Sequence, residues 1–276
     1  MFGGILEQFQ HSHYIQKFHR LNYCYLLLCC AGLRQEDVFC RLKIFFINSI
    51  FFVVVVEFFC KSTDYCYLFA TMSDTVILFG GTFDPIHYGH LRVSDCACEQ
   101  IGAEEVVLIP ALRSPHKVSL PIVDGAGRVE MISLAIAGKK KYRVSDCELK
   151  RSKPSYTLET VRHFRAEYGG GVEFCWLVGA DAVKDLGNWY GIGELVEECN
   201  LCVMFRAGFE RPDFGRLEVI LGAGRVSKLE RNVVQTPLID INSTEIRRRL
   251  ACGVDVSDML EPKVLGYIRE KGLYSS

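Results

Sequence analysis

Proline is missing from residues 1–72, and glycine occurs there only at Gly3, Gly4 and Gly32. The rest of the chain carries all 8 Pro, 21 of the 24 Gly and both Trp. The first 72 residues hold instead 16 of the 30 Phe and Tyr and 6 of the 13 Cys, so two different kinds of polypeptide meet near Met72. An excess of one charge is also missing. With 32 Lys+Arg against 33 Asp+Glu, no general electrostatic pull draws the chain to nucleic acid or an anionic membrane. The 13 Cys follow no framework spacing, and an odd number cannot pair completely. They read as the reduced thiols of a cytoplasmic protein. With 24 Gly, 8 Pro and 49% hydrophobic residues, collagen-like, disordered and small disulfide-scaffold chains are excluded.

An apolar run long enough to cross a bilayer is absent as well. The most apolar stretch, Ile44 to Val56, has 13 residues, contains Asn48 and Ser49, and is followed by Glu57, whereas a spanning helix needs about 20. It also lies too far from the N-terminus for an ordinary signal peptide. Residues 1–72 are therefore read first as a leader translated ahead of a natural start at Met72. A membrane-associating or targeting segment and an extension packed on the body are the other two readings. Met72-Ser-Asp followed by Thr75-Val-Ile-Leu-Phe79 has the look of a start followed by a buried strand. No chemistry is assigned to the leader, and residues 73–276 form the working domain.

That domain alternates strands and helices. Thr75–Phe79, Glu105–Ile109 and Glu173–Val178 are short apolar runs stopped by Gly or Pro, Leu201–Phe205 is another apolar run, and Tyr142–Ser145 is a weaker strand. Helical spacing appears at His90–Gly102, Arg128–Ala137, Thr157–Phe164, Glu245–Leu250 and Pro262–Lys271. Ser155-Tyr156-Thr157 supplies cap residues for the third of these, and Ser243 or Thr244 caps the fourth. Such alternation predicts a Rossmann-like parallel sheet with helices on both faces. Its ligands sit at the carboxyl ends of the strands, where the strand order reverses.

Gly80-Gly-Thr-Phe-Asp-Pro-Ile-His-Tyr-Gly-His-Leu91 follows the first of these strands and opens the first helix. Gly80 and Gly81 present no side chain to an approaching phosphate, and Gly89 lets a ligand come close. His87 and His90, three apart, share the first helical turn, where backbone N–H groups and the helix dipole favour an anion. Phosphate binding is one reading of this pair. Zinc ligation or a plain surface position is the other, although no His-Glu-x-x-His and no paired Cys-x-x-Cys accompanies it.

The whole twelve-residue string resembles the His-x-Gly-His signature of nucleotidyltransferases. Ser114-Pro-His-Lys117, Ser155-Tyr-Thr157, Gly179-Ala-Asp181, Trp189-Tyr190 and Ile241-Asn-Ser-Thr-Glu-Ile-Arg247 then follow in order. Over about residues 74–275 the chain is similar to the bacterial-type nicotinate-nucleotide adenylyltransferases. The resemblance implies transfer of the adenylyl group of ATP to nicotinate mononucleotide, giving deamido-NAD and pyrophosphate. It implies catalytic roles for His87, His90, Lys117 and Arg247. ATP would meet Gly80, Gly81, Thr82, Phe83, His87, His90, Ser243, Thr244 and Arg247, and the mononucleotide Lys117, Tyr156, Thr157, Asp181, Trp189 and Tyr190. Mg²⁺ would arrive chiefly on ATP, with no protein ligand assigned. Asn242 departs from the family pattern, where a Ser is usual, which puts the contact made at that position in doubt.

Other features carry less. Cys199-Asn-Leu-Cys202 is a lone Cys-x-x-Cys entering a strand, and Gly191-Ile-Gly193 and Gly169-Gly-Gly171 lack the dinucleotide fingerprint. A P-loop is absent. Two rivals remain. One is a sister enzyme with another acceptor, nicotinamide mononucleotide or phosphopantetheine, and the aromatic pair Trp189-Tyr190 argues for a flat pyridine ring over phosphopantetheine. The other is a membrane-tethered, non-catalytic nucleotide sensor anchored by residues 1–72.

Overall fold

A computed structural model of the chain describes residues 38–47, 51–60, 63–71, 74–113, 120–152, 154–206 and 212–275. The chain divides into two compact units, residues 1–72 and 73–276. In the first, β1 (Val38–Ile47), β2 (Phe51–Cys60) and β3 (Thr63–Thr71) form an antiparallel sheet in chain order. The apolar run noted in the sequence thus falls across two paired strands, with Phe45 opposite Val53 and Ile47 opposite Phe51. No helix among the described residues is long and apolar enough to cross a membrane.

The second unit is built on six parallel strands: β4 (Asp74–Gly81), β5 (Glu105–Pro110), β6 (Tyr142–Val144), β7 (Val172–Gly179), β8 (Asn200–Arg206) and β9 (Val233–Thr236). Their order is β6-β5-β4-β7-β8-β9, and each neighbouring pair runs parallel. Successive side chains of a strand point to opposite faces, so each buried run serves two cores. Ile77, Phe79, Val106 and Leu108 join one, and Val76, Leu78, Val107 and Ile109 the other. The first core is closed by α1 (Tyr88–Ile101), α2 (Gly125–Ala135), α7 (Ser243–Ala251) and α8 (Pro262–Glu270). The second is closed by α3 (Thr157–Tyr168), α4 (Ile192–Glu198), α5 (Gly215–Leu221) and α6 (Ala223–Arg231). Helices cover both faces, as the alternation requires.

The chain order reverses between β4 and β7, the two central strands. Their carboxyl ends, Gly80-Gly81 and Gly179, flank the crevice where ligands bind in this architecture. Five features had no clear sequence signal. The 3₁₀ segment Ala180–Asn188 runs straight on from β7, α4 and α5 have seven residues each, α6 has nine and β9 has four. None of the helical segments fills the window of about 11–18 residues over which helical periodicity is judged, and a four-residue strand is at the short limit of alternation.

Candidate active site

At the end of β4, packing alone already requires the two glycines. A Cβ on Gly80 would strike the ring of Trp176 from β7, and one on Gly81 would lie 2.9 Å from the Phe83 ring. Gly89 is required in the same way: its Cβ would meet His87 Nδ1 at 2.8 Å and the Ile241 carbonyl at 3.1 Å. Packing thus demands glycine at all three positions, and all three line the pockets described below. Phe83, expected at ATP, has its side chain buried against Phe79 and His90, with centroids at 5.6 and 4.9 Å.

The loop that follows is held from several sides. Asp84 is buried, and its carboxylate accepts from the amides of Ile122 at 2.7 Å and Val123 at 3.3 Å. Arg128, also buried, donates from Nη1 to the carbonyls of Thr82 (2.8 Å) and Ala111 (2.9 Å), and from Nε to that of Val123 (3.2 Å). One buried guanidinium thus ties the ends of β4 and β5 together, and a helical pattern beginning at Arg128 gave no hint that its first side chain points inward.

His87 is the N-cap residue of α1 and His90 its third residue. Their rings stack with centroids 3.7 Å apart. The His87 amide donates to His90 Nδ1 at 3.3 Å, so the proton of a neutral His90 resides on Nε2. His87 itself is only 6% exposed, and its Nδ1 has no hydrogen-bond partner among the described residues. Burial lowers its pKa to about 4, because a charged imidazole would lose its hydration there.

Opposite this turn lies the start of α7. The structure assigns its cap to Asn242, whose Oδ1 accepts from the Glu245 amide at 2.9 Å, and not to Ser243 or Thr244 as expected. Ser243 Oγ donates instead to the Pro85 carbonyl at 3.0 Å. Arg247 donates from Nη1 to the Asp84 carbonyl at 2.7 Å and from Nη2 to Thr244 Oγ1 at 3.3 Å. The cap gives Asn242 a definite task. Asn242→Ala is expected to lower the unfolding free energy by about 1 kcal/mol, with Asn242→Ser within a few tenths of the parent, both read from urea unfolding.

These elements surround a cleft of about 1220 Å³, lined by Thr82, His87, His90, Ser243, Thr244 and Arg247 among others. A second pocket of about 460 Å³ is lined by Gly80, Gly81, Tyr156, Thr157, Trp189 and Tyr190. The two share Phe79, Thr82, Gly179 and Asp181. The residues expected at the mononucleotide therefore gather in one pocket, and most of those expected at ATP in the other. Gly80 and Gly81 fall on the mononucleotide side. Lys117, with Ser114, lies outside the described residues.

In the smaller pocket the Tyr156 and Tyr190 rings lie 4.7 Å apart at 34°, and Trp189 is half-buried beside them. Tyr156 occupies the N-cap of α3 with no side-chain cap, correcting the expected capping by the Ser155-Tyr-Thr157 run. Ser155 Oγ accepts from the Leu112 amide at 3.1 Å. The first N–H groups of α3 thus lack the side-chain acceptor that Asp124 supplies to α2 and Asn242 to α7. Glu148, missed in the sequence, lines the same pocket and accepts from Thr160 Oγ1 at 2.6 Å. Burial pushes its carboxyl pKa up. Among the described residues, no three His, Cys, Asp or Glu side chains cluster as metal ligands.

Comparison with known proteins adds names to this geometry. A family model described as cytidylyltransferase-like matches residues 78–249. A probable nicotinate-nucleotide adenylyltransferase of Chromobacterium violaceum is 34% identical over 211 residues, 74% of this chain and all of that protein. One from Serratia proteamaculans is 37% identical over 214 residues, 73% of this chain and 97% of that one. Among solved structures, Plasmodium falciparum nicotinic acid mononucleotide adenylyltransferase complexed with NaAD aligns with a TM-score of 0.57 at 22% identity, covering 73% of this chain and 97% of that one. At that identity the likeness is one of fold.

Proposed function

The chain belongs to the cytidylyltransferase-like family and, within it, to the nicotinate-nucleotide adenylyltransferases, and from that premise we propose how its residues divide the reaction. The enzyme transfers the adenylyl group of ATP to nicotinate mononucleotide, yielding deamido-NAD and pyrophosphate, a step of NAD biosynthesis. The observation that supports these assignments most is the pair of adjoining pockets. One is framed by the His87–His90 turn and Arg247, the other by aromatic rings and an uncapped helix start, and they share a wall at Thr82 and Asp181.

The mononucleotide phosphate attacks the α-phosphorus, and pyrophosphate leaves. Both reactants are anions, so catalysis rests on alignment and charge neutralisation. His90 donates from Nε2 to the reacting phosphate, and Arg247, fixed by the Asp84 carbonyl, neutralises the leaving phosphates. Ser243, Thr244 and the first N–H groups of α7 hold those phosphates, and Lys117 is assigned to the opposite side. Mg²⁺ supplies further charge neutralisation when it enters on the ATP phosphates. Asp84 is not offered as its ligand, because that carboxylate is already occupied by the Ile122 and Val123 amides. The seven cysteines of residues 73–276 are free thiols, which suits a cytoplasmic enzyme, and we assign the whole activity to that unit.

Acceptor choice follows from the start of α3. Its N–H groups favour the pyridine carboxylate, whereas an amide would direct donors at donors and leave buried polar groups unpaired. Pyrophosphate release is therefore expected with a kcat/KM ratio of at least about tenfold for nicotinate over nicotinamide mononucleotide. A ratio near one, or reversed, defeats the acceptor assignment. Binding of ATP without turnover on either acceptor defeats the enzymatic reading and favours the sensor.

A further inference from the structure

We propose that Tyr274, two residues from the C-terminus, is a positioning residue for adenylyl transfer, acting by holding the Asp84 carboxylate and through it the loop that sets His87 and Arg247. Its hydroxyl donates to Asp84 Oδ1 at 2.5 Å, across 190 positions of sequence.

Asp84 is the node of the site. Its side chain takes three donors: the Ile122 amide, the Val123 amide and the Tyr274 hydroxyl. Its backbone carbonyl takes a fourth, Arg247 Nη1. The next residue, Pro85, accepts from Ser243 Oγ, and Tyr88 donates its amide to the Met259 carbonyl at 2.9 Å. Thus the segment from Asp84 to Tyr88, which carries His87, is fastened to the start of α7 and to the C-terminal region. Among the described residues, only the phenol reaches the Asp84 carboxylate as a side-chain hydrogen-bond donor. Both partners are buried, at 3% for Asp84 and 9% for Tyr274, so water cannot readily replace the lost bond.

The backbone gives a second, independent sign. Among the described residues, two that are not glycine have φ in the left-handed region: Phe83 at 50° and Tyr274 at 61°. One adjoins Asp84 and the other bonds it. Side-chain-bearing residues keep that conformation only where surrounding contacts over-determine it. The Tyr274 ring packs in the same core as Val264, Leu265 and Ile268 of α8, which fixes the direction of the hydroxyl. Burial and the neighbouring carboxylate both raise its pKa, so it stays a donor throughout the working range.

The kinetic part of this inference rests on the adenylyl-transfer reading, and the exchange part does not. In the full chain, Tyr274→Phe removes one oxygen and leaves the ring packed. Per folded molecule, kcat is expected to fall about tenfold while KM for ATP and nicotinate mononucleotide stays within about threefold, since the loop misplaces the reacting groups more than it weakens binding. Asp84→Asn should give the same split, and the double variant should cost no more than the larger single one. Amides of Phe83, Asp84 and His87 should exchange hydrogen faster in Tyr274→Phe, with those of β9 unchanged. A kcat within twofold of the parent, additive effects in the cycle, or uniformly faster exchange would each overturn the assignment. If the parent chain transfers no adenylyl group at all, the functional reading fails, and the exchange pattern alone still decides whether Tyr274 holds the loop.

Discussion

His90→Ala lowers kcat by a hundredfold or more, with the circular dichroism spectrum unchanged. The expectation starts from the hydrogen bond between the His87 amide and His90 Nδ1 at 3.3 Å. With Nδ1 accepting, the proton of the neutral ring sits on Nε2, and the helix turn fixes the direction of that donor. A preorganised donor aimed at developing charge contributes about 3–4 kcal/mol to the barrier. Alanine removes that donor and leaves a void beside Phe83, whose ring centroid lies 4.9 Å from that of His90. The void and the lost amide acceptor cost stability but not the fold, because α1 is held by Leu91, Ala97 and Cys98 in the core. Single-turnover pyrophosphate release with saturating substrates isolates the chemical step. Turnover within about threefold of the parent would remove His90 from the mechanism.

The sequence made the helix and strand order readable because strands buried on both faces are continuous apolar runs, and those are visible without neighbours. Thr75–Phe79 and Glu105–Ile109 needed only small extensions, to Asp74–Gly81 and Glu105–Pro110. The twelve-residue string around His87 and His90 was legible for a similar reason: residues that act together there are close in the chain. What the string could not convey was the cause of its own glycines. A Cβ at Gly80 would clash with Trp176, 96 positions away, and the pairing of β4 with β7 brings them together. Asp84 and Tyr274 were silent on the same ground, since a carboxylate and a phenol at that separation have no periodicity to share. The cap of α7, expected at Ser243 or Thr244, falls at Asn242. Ser, Thr and Asn all cap well, and Asn242-Ser243-Thr244 offers three in succession, so only the folded backbone of Asn242 and its bond from the Glu245 amide separate them.

His87 carries the second large effect, and its sign follows from burial. The folded pKa is about 4 against an ordinary 6.5, so between those values the unfolded chain binds a proton that the folded chain refuses. Stability therefore falls as pH drops below 6.5, and the loss levels off below about 4, where the folded form protonates too. At pH 5 the His87 share of that loss is about 2 kcal/mol relative to pH 7.5. The same burial keeps His87 a neutral imidazole near pH 7 before any phosphate arrives. Among the described residues, fixed positive charge in the large cleft then comes from Lys184 and from Arg247, which stands there already oriented by the Asp84 carbonyl and Thr244. Carboxylates titrating over the same range contribute their own slope, so the measurement compares two proteins. Unfolding free energies of the parent and of His87→Gln are taken at pH 7.5 and pH 5. The parent should lose about 2 kcal/mol more than the variant, and parallel curves would mean that His87 protonates as readily in the folded chain as in the unfolded one.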